Sequence, residues 1–166
     1  RLLTRLEPDP ETLWLESQTQ LDRTDGVLVV DDSTLDKPYA TSIGLVTRHW
    51  SGKHHAVVKG INLVSLLWTD GDRHIPCDYR VYDKADTRTK NDHFADMIRV
   101  AYSRGFRPRC VLFDGWYSSL DNLKLIRACG WTGLTRLKSN RLVNLQRQGN
   151  RALSDTPIAA TGTEVW

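Results

Sequence analysis

Three aspartates carry the chemical interest of this chain. Asp31 and Asp32 stand side by side in VLVVDDSTLDKP, directly after four aliphatic residues, and Asp114 closes the run CVLFD, residues 110–114. An acid at the end of a buried strand costs free energy, and two acids brought together repel, so the arrangement calls for a compensating cation. With oxygen donors and neither His nor Cys in the set, Mg²⁺ or Mn²⁺ suits it better than zinc. Two such ions roughly 4 Å apart activate an attacking oxygen and steady a leaving one in an in-line displacement at phosphorus. The chemistry indicated is phosphoryl transfer.

Plainer roles compete for the same residue types. Adjacent acids after a strand also serve as turn or cap residues, and Asp36 and Asp121 read that way. His54 with His55, and His74 with Cys77, lack the second ligand pair that a zinc site needs. Residues 135–151, TRLKSNRLVNLQRQGNR, hold five basic residues and no acid. They read either as solvated surface or as a phosphate-tracking patch, with Arg136, Lys138 and Arg141 nearest the acids. Trp116 and Tyr117 either stack on an extruded DNA base or pack against the next helix.

The elements that must position these groups follow from pattern. Asp9 as N-cap, Pro10 at the first helical position and Glu11 open a short helix over residues 9–21. A first strand spans residues 27–32 and ends at the two acids. The Thr-, Ser-, Gly- and His-rich stretch 37–52 reads as a loop or a loosely paired excursion. A long strand over 56–68 turns at TDGD and returns antiparallel over 74–82. Thr89 and Asp92 form a capping box for an amphipathic helix over 89–104. CVLFD has the form of a strand buried on both faces. Ser118 and Asp121 then box a second helix, which runs to about Cys129 and stops at Gly130, and a fifth strand spans 131–137.

This order predicts an α/β chain with an RNase H-like mixed sheet: three antiparallel strands, then parallel strands joined by crossover helices. In that topology the fourth strand lies beside the first and parallel to it, with backbones about 4.8 Å apart. Asp114 then faces Asp31 or Asp32.

Composition narrows the class. The 166 residues suffice for one domain with a sizeable core, and the net charge of +3 permits a polyanionic partner without demanding one. Three widely spaced cysteines form no CxxC pair and suggest neither a disulfide framework nor a metal site. No apolar run approaches the roughly 20 residues of a membrane span, so a cytoplasmic protein is expected.

With VVDDSTLDKP, VLFDGWYSSLDNLKLI and GWTGLTRLKSN in hand, the chain resembles the DDE transposases of bacterial insertion sequences that carry a β-rich insertion in an RNase H-like core. The resemblance spans residues 24–166. It implies catalytic, metal-binding roles for Asp32, which precedes Ser33 and Thr34, and for Asp114, with Asp31 as the alternative to Asp32. It further implies Mg²⁺ or Mn²⁺ as cofactor, element ends and target as DNA partners, a homodimer in a synaptic complex, and a nucleoid-associated location.

The family's third acid is a Glu within a Tyr, Arg, Glu, Lys signature on a helix beyond the insertion. Glu164, in TGTEVW, does not match it, so the third role is not carried over and the chain is expected to be a fragment at both ends. The expected division is an N-terminal helical remnant over 1–25, a catalytic core over 26–140 and the start of a truncated insertion domain over 141–166.

Two rivals remain. A haloacid-dehalogenase-like phosphatase wants a second Asp two residues after its nucleophile, where Ser33 or Thr34 stands. A chain that binds DNA or an intact transposase without cutting is the non-catalytic alternative.

Overall fold

Period-two alternation decides how the sheet faces. In strand β1 (Val27–Asp36) Leu28 and Val30 are buried, and in β3 (Ala56–Thr69) so are Val64, Leu66 and Trp68. In β5 (Cys110–Phe113) Val111 and Phe113 complete the same face. The computed structural model describes residues 9–165, and that face packs there against three helices. Helix α1 (Pro10–Ser17) contributes Trp14, α2 (Lys90–Ser103) contributes Phe94, Met97, Ile98 and Ala101, and α3 (Leu120–Ala128) contributes Ile126. Fully burying side chains of this size stabilises by about 1.5–3 kcal/mol each.

At β5 and its neighbour the opposite face is open. Leu112 is 40% exposed and its parallel neighbour Leu134, in β6 (Gly133–Thr135), 56%. The expectation that CVLFD is buried on both faces is therefore corrected: its residues alternate between core and solvent.

The sheet has six strands. Strand β4 (His74–Tyr82) pairs antiparallel with β3, β3 antiparallel with β1, and β1 parallel with β5, which pairs parallel with β6. This is the mixed sheet expected from the element order. The stretch read as a loop or a loosely paired excursion contains a definite strand: β2 (Thr47–Ser51) pairs antiparallel with the start of β3. Local composition cannot reveal that the first residues of β3 need a partner. Nor does β1 stop at the acids. It runs four residues further to Asp36, opposite Gly60, where a Cβ would lie 2.5 Å from the Leu35 carbonyl oxygen.

Local signals set the helix ends. Asp9 caps α1, its carboxylate accepting from the Thr12 N–H at 2.8 Å, and Thr89 and Asp92 form the expected capping box on α2. On α3 the cap is Ser119, accepting from Asn122 N–H, rather than Ser118. The Ser118 hydroxyl donates instead to the Gly115 carbonyl at 2.8 Å. Strands β7 (Leu142–Asn144) and β8 (Asn150–Ala152) form a separate two-stranded sheet, and Val165 bridges to Leu145 beside it. All three cysteines are free, and no helix among the described residues is long and apolar enough to cross a membrane.

Candidate active site

The β1–β5 ladder brings the acids together. Its parallel register runs from Val27 opposite Cys110 to Val30 opposite Phe113, and the next residues on each chain are Asp31 and Asp114. Both therefore stand at the same end of adjacent strands. Asp32, one residue on, takes the alternate side, with Val30 and Leu28 beneath it.

Asp114 is fixed by its own turn: the Trp116 N–H donates to Asp114 Oδ1 at 2.8 Å. Gly115 makes the turn possible, because a Cβ there would lie 2.5 Å from the Arg136 carbonyl oxygen at the end of β6.

Asp32 is held by three donors, from β3, from α2 and from the loop before α3. Its Oδ2 accepts from Lys90 Nζ at 2.7 Å and from Asn62 Nδ2 at 2.8 Å, and its Oδ1 accepts from the Tyr117 hydroxyl at 3.0 Å. Burial by itself would raise this carboxyl, but the Lys90 ammonium, Asn62 and Tyr117 outweigh it and hold Asp32 below the usual carboxylate range. Asp31 behaves oppositely. Burial pushes it up, and the negative charges of Asp32 and Asp114 add to the rise, against the Asp32 N–H that donates to it at 2.8 Å. The two neighbouring acids are thus driven apart, one secured as an anion and the other strained as one.

The acids line a cleft of about 870 Å³, whose walls include His49 and Trp50 of β2, Lys53, Lys84, Lys90 and Trp116. His49 is pushed down, first by burial and then by the charges of Lys84 and Lys90, so it lines the cleft as a neutral ring.

Of the residues expected to touch DNA, Trp116 is 59% exposed at this cleft, with the Lys138 ammonium 5.6 Å from its ring centroid. Arg136 and Lys138 are exposed and line a second hollow beside Gly115. Arg141 is turned inward, Nη2 donating to the Ser118 carbonyl at 2.5 Å and to the Ser118 hydroxyl at 3.1 Å. Tyr117 is corrected. It is fully buried, its ring stacked on Phe94 at 5.2 Å and 17°, which leaves no face for a base. Burial and the adjoining Asp32 push its hydroxyl up, so it remains a donor.

Sequence reasoning missed Lys90, Asn62 and Trp50. Two of them left a trace. A lysine at the first helical position opposes the helix dipole, and Asn62 interrupts an apolar strand, so each signals a partner elsewhere in the fold.

A family profile described as DDE superfamily endonuclease matches residues 8–157. The chain belongs to this family. Endonucleases of the DDE superfamily generally use divalent metal ions, and the oxygen donors at the strand ends are of the type a hard cation takes: Asp31 stands level with Asp114 and is raised by burial and by like charges that a cation would offset. Among the described residues no three His, Cys, Asp or Glu side chains converge as a ready-made metal cluster.

Among solved structures this chain is similar to the piggyBac transposase in a synaptic complex with hairpin DNA. The TM-score is 0.48 and the identity 16%, over 70% of this chain and 24% of that one. It is also similar to the Drosophila P element transposase in a strand transfer complex, with a TM-score of 0.33 and 10% identity, over 77% of this chain and 33% of that one. The chain thus spans no more than a third of the length of either transposase. No curated protein matches it.

Proposed function

We propose that this chain is the catalytic core of a bacterial insertion-sequence transposase, cutting DNA at the element's ends and joining the freed 3′ hydroxyl to target DNA. The observation that carries the reading is the placing of Asp31 and Asp114 at one level at the end of a parallel strand pair, with Asp32 next in the chain, in a cleft that all three acids line together with lysines and exposed tryptophans.

Asp32 and Asp114 would hold Mg²⁺ or Mn²⁺, with Asp31 beside Asp114 as the further carboxylate. When bound, the metal supplies activation of the attacking oxygen and charge stabilisation at phosphorus. The chain's own residues do the rest. Lys90, Asn62 and Tyr117 orient Asp32, the Trp116 N–H orients Asp114, and Arg136 and Lys138 track the DNA backbone while exposed Trp116 offers a stacking surface. The β7–β8 pair with the Leu145–Val165 bridge would be the first strands of the insertion domain, and a synaptic complex would pair two copies on DNA.

Binding of Mn²⁺, followed by the loss of the free ion's paramagnetic resonance signal, tests the site directly. Asp32→Asn and Asp114→Asn should each weaken it about tenfold or more, as expected for the loss of one anionic ligand. Equal affinity in the wild type and Asp114→Asn would sink the metal-centre reading. Loss of Mn²⁺ binding together with retained DNA binding would separate the cutting machinery from the DNA surface.

A further inference from the structure

We infer that Lys90 is a cation shared in turn between Asp32 and the DNA backbone, so that metal arrival at Asp32 releases Lys90 to a DNA phosphate and couples metal binding to DNA binding. The inference rests on the metal-centre reading of Asp32 and Asp114.

Both oxygens of Asp32 already accept hydrogen bonds, so a divalent ion approaching this carboxylate must displace or crowd a donor. Two of the three donors are poorly able to leave. Asn62 lies inside β3 and is also within reach of the Ser33 carbonyl at 3.3 Å and the Thr34 hydroxyl at 3.4 Å. Tyr117 is clamped by the stacked Phe94 ring in the core. Both are neutral and attract no penalty from a nearby cation. Lys90 differs on each count: it ends a flexible four-carbon stem, and its positive charge repels a divalent ion at the same oxygen.

The cleft beside its held position is also defined. The Lys90 side chain is 18% exposed, lies 5.6 Å from the Tyr82 ring centroid, and lines the same cleft as Lys53 and Lys84. An ammonium leaving Asp32 therefore enters a basic cleft next to the carboxylates where the scissile phosphate would lie. Its seat at the first position of α2, against the positive end of the helix dipole, favours exchange onto a mobile anion once Asp32 is taken. Thermodynamic linkage then makes the effect mutual: DNA that captures Lys90 uncovers Asp32 for metal.

The test uses the whole chain, Mn²⁺ measured by resonance and a random-sequence DNA duplex measured by fluorescence anisotropy at fixed salt. Without DNA, Lys90→Met should bind Mn²⁺ about tenfold more tightly than the wild type. The factor by which DNA strengthens Mn²⁺ binding should fall about tenfold in the same variant, within the usual span of coupling between sites. Lys90→Gln, which keeps a donor without the charge, should behave as Lys90→Met does, and Lys90→Arg should keep wild-type coupling. Unchanged or weaker Mn²⁺ affinity in both neutral variants, or undiminished coupling, overturns the inference. Mn²⁺ affinity left intact by Asp114→Asn would instead overturn the metal-centre reading on which it rests.

Discussion

Asp31 and Asp114 follow directly on Val30 and Phe113, the last register pair of the β1–β5 ladder, so the parallel strands present two carboxyls at one level of the sheet. Burial and the charges of Asp32 and Asp114 raise the Asp31 carboxyl. A group raised on folding destabilises the native state when ionised, and that cost fades as pH falls through the raised value. Asp31→Asn should therefore unfold at higher denaturant near neutral pH, by up to about 1 kcal/mol. The gain should shrink in moderately acidic buffer, and urea titration of both proteins at the two pH values checks it.

Asp32 has the opposite sign. Its carboxyl is depressed in the folded chain, so its stabilisation is present at neutral pH and lost as pH falls below the usual carboxylate range through the folded value. Tyr117→Phe removes the 3.0 Å hydrogen bond and keeps the stacked ring, so it should cost about 1 kcal/mol at neutral pH. The difference from the wild type should narrow in acid. Tyr117→Ala should cost about 3–5 kcal/mol at either pH, because the loss there is core volume.

Gly115→Ala should damage the site more than the fold. A Cβ 2.5 Å from the Arg136 carbonyl oxygen must push the Asp114 turn off the end of β6. Mn²⁺ affinity should drop about tenfold, in line with the sensitivity of oriented ligands to their surroundings. Gly26→Ala makes the contrasting control. At φ +82°, with its Cβ 2.4 Å from Trp68 Nε1, it should lower stability by about 1–3 kcal/mol.

The basic residues divide by what they touch. Arg136→Ala and Lys138→Ala should weaken DNA binding of any sequence and reduce the slope of log affinity against log salt by about 1 each. Arg141→Ala should instead lower the melting temperature, since its guanidinium is tied to Ser118 in the loop between Asp114 and α3. Salt titrations by anisotropy, with melts of each variant, distinguish the two outcomes.

Elements with strong local codes were legible from short-range pattern. Capping at Asp9 and Thr89, the helix stops at Gly105 and Gly130, and the apolar runs of β1, β3 and β5 are short-range signals, and together they implied the mixed sheet and the meeting of Asp114 with the acids of β1. What required distant partners was not legible. Strand β2 exists because the first residues of β3 pair with it, β1 runs on to Asp36 because β3 is long enough to match it, and Tyr117 is buried because Phe94 of α2 lies against it. Only the tertiary structure gave Asp31 and Asp32 different surroundings. Identical in type and adjacent in sequence, they differ because strand alternation turns Asp32 towards Lys90, Asn62 and Tyr117, whereas the parallel ladder sets Asp31 level with Asp114. Those three donors arrive from 30, 58 and 85 residues away, beyond the reach of any local pattern.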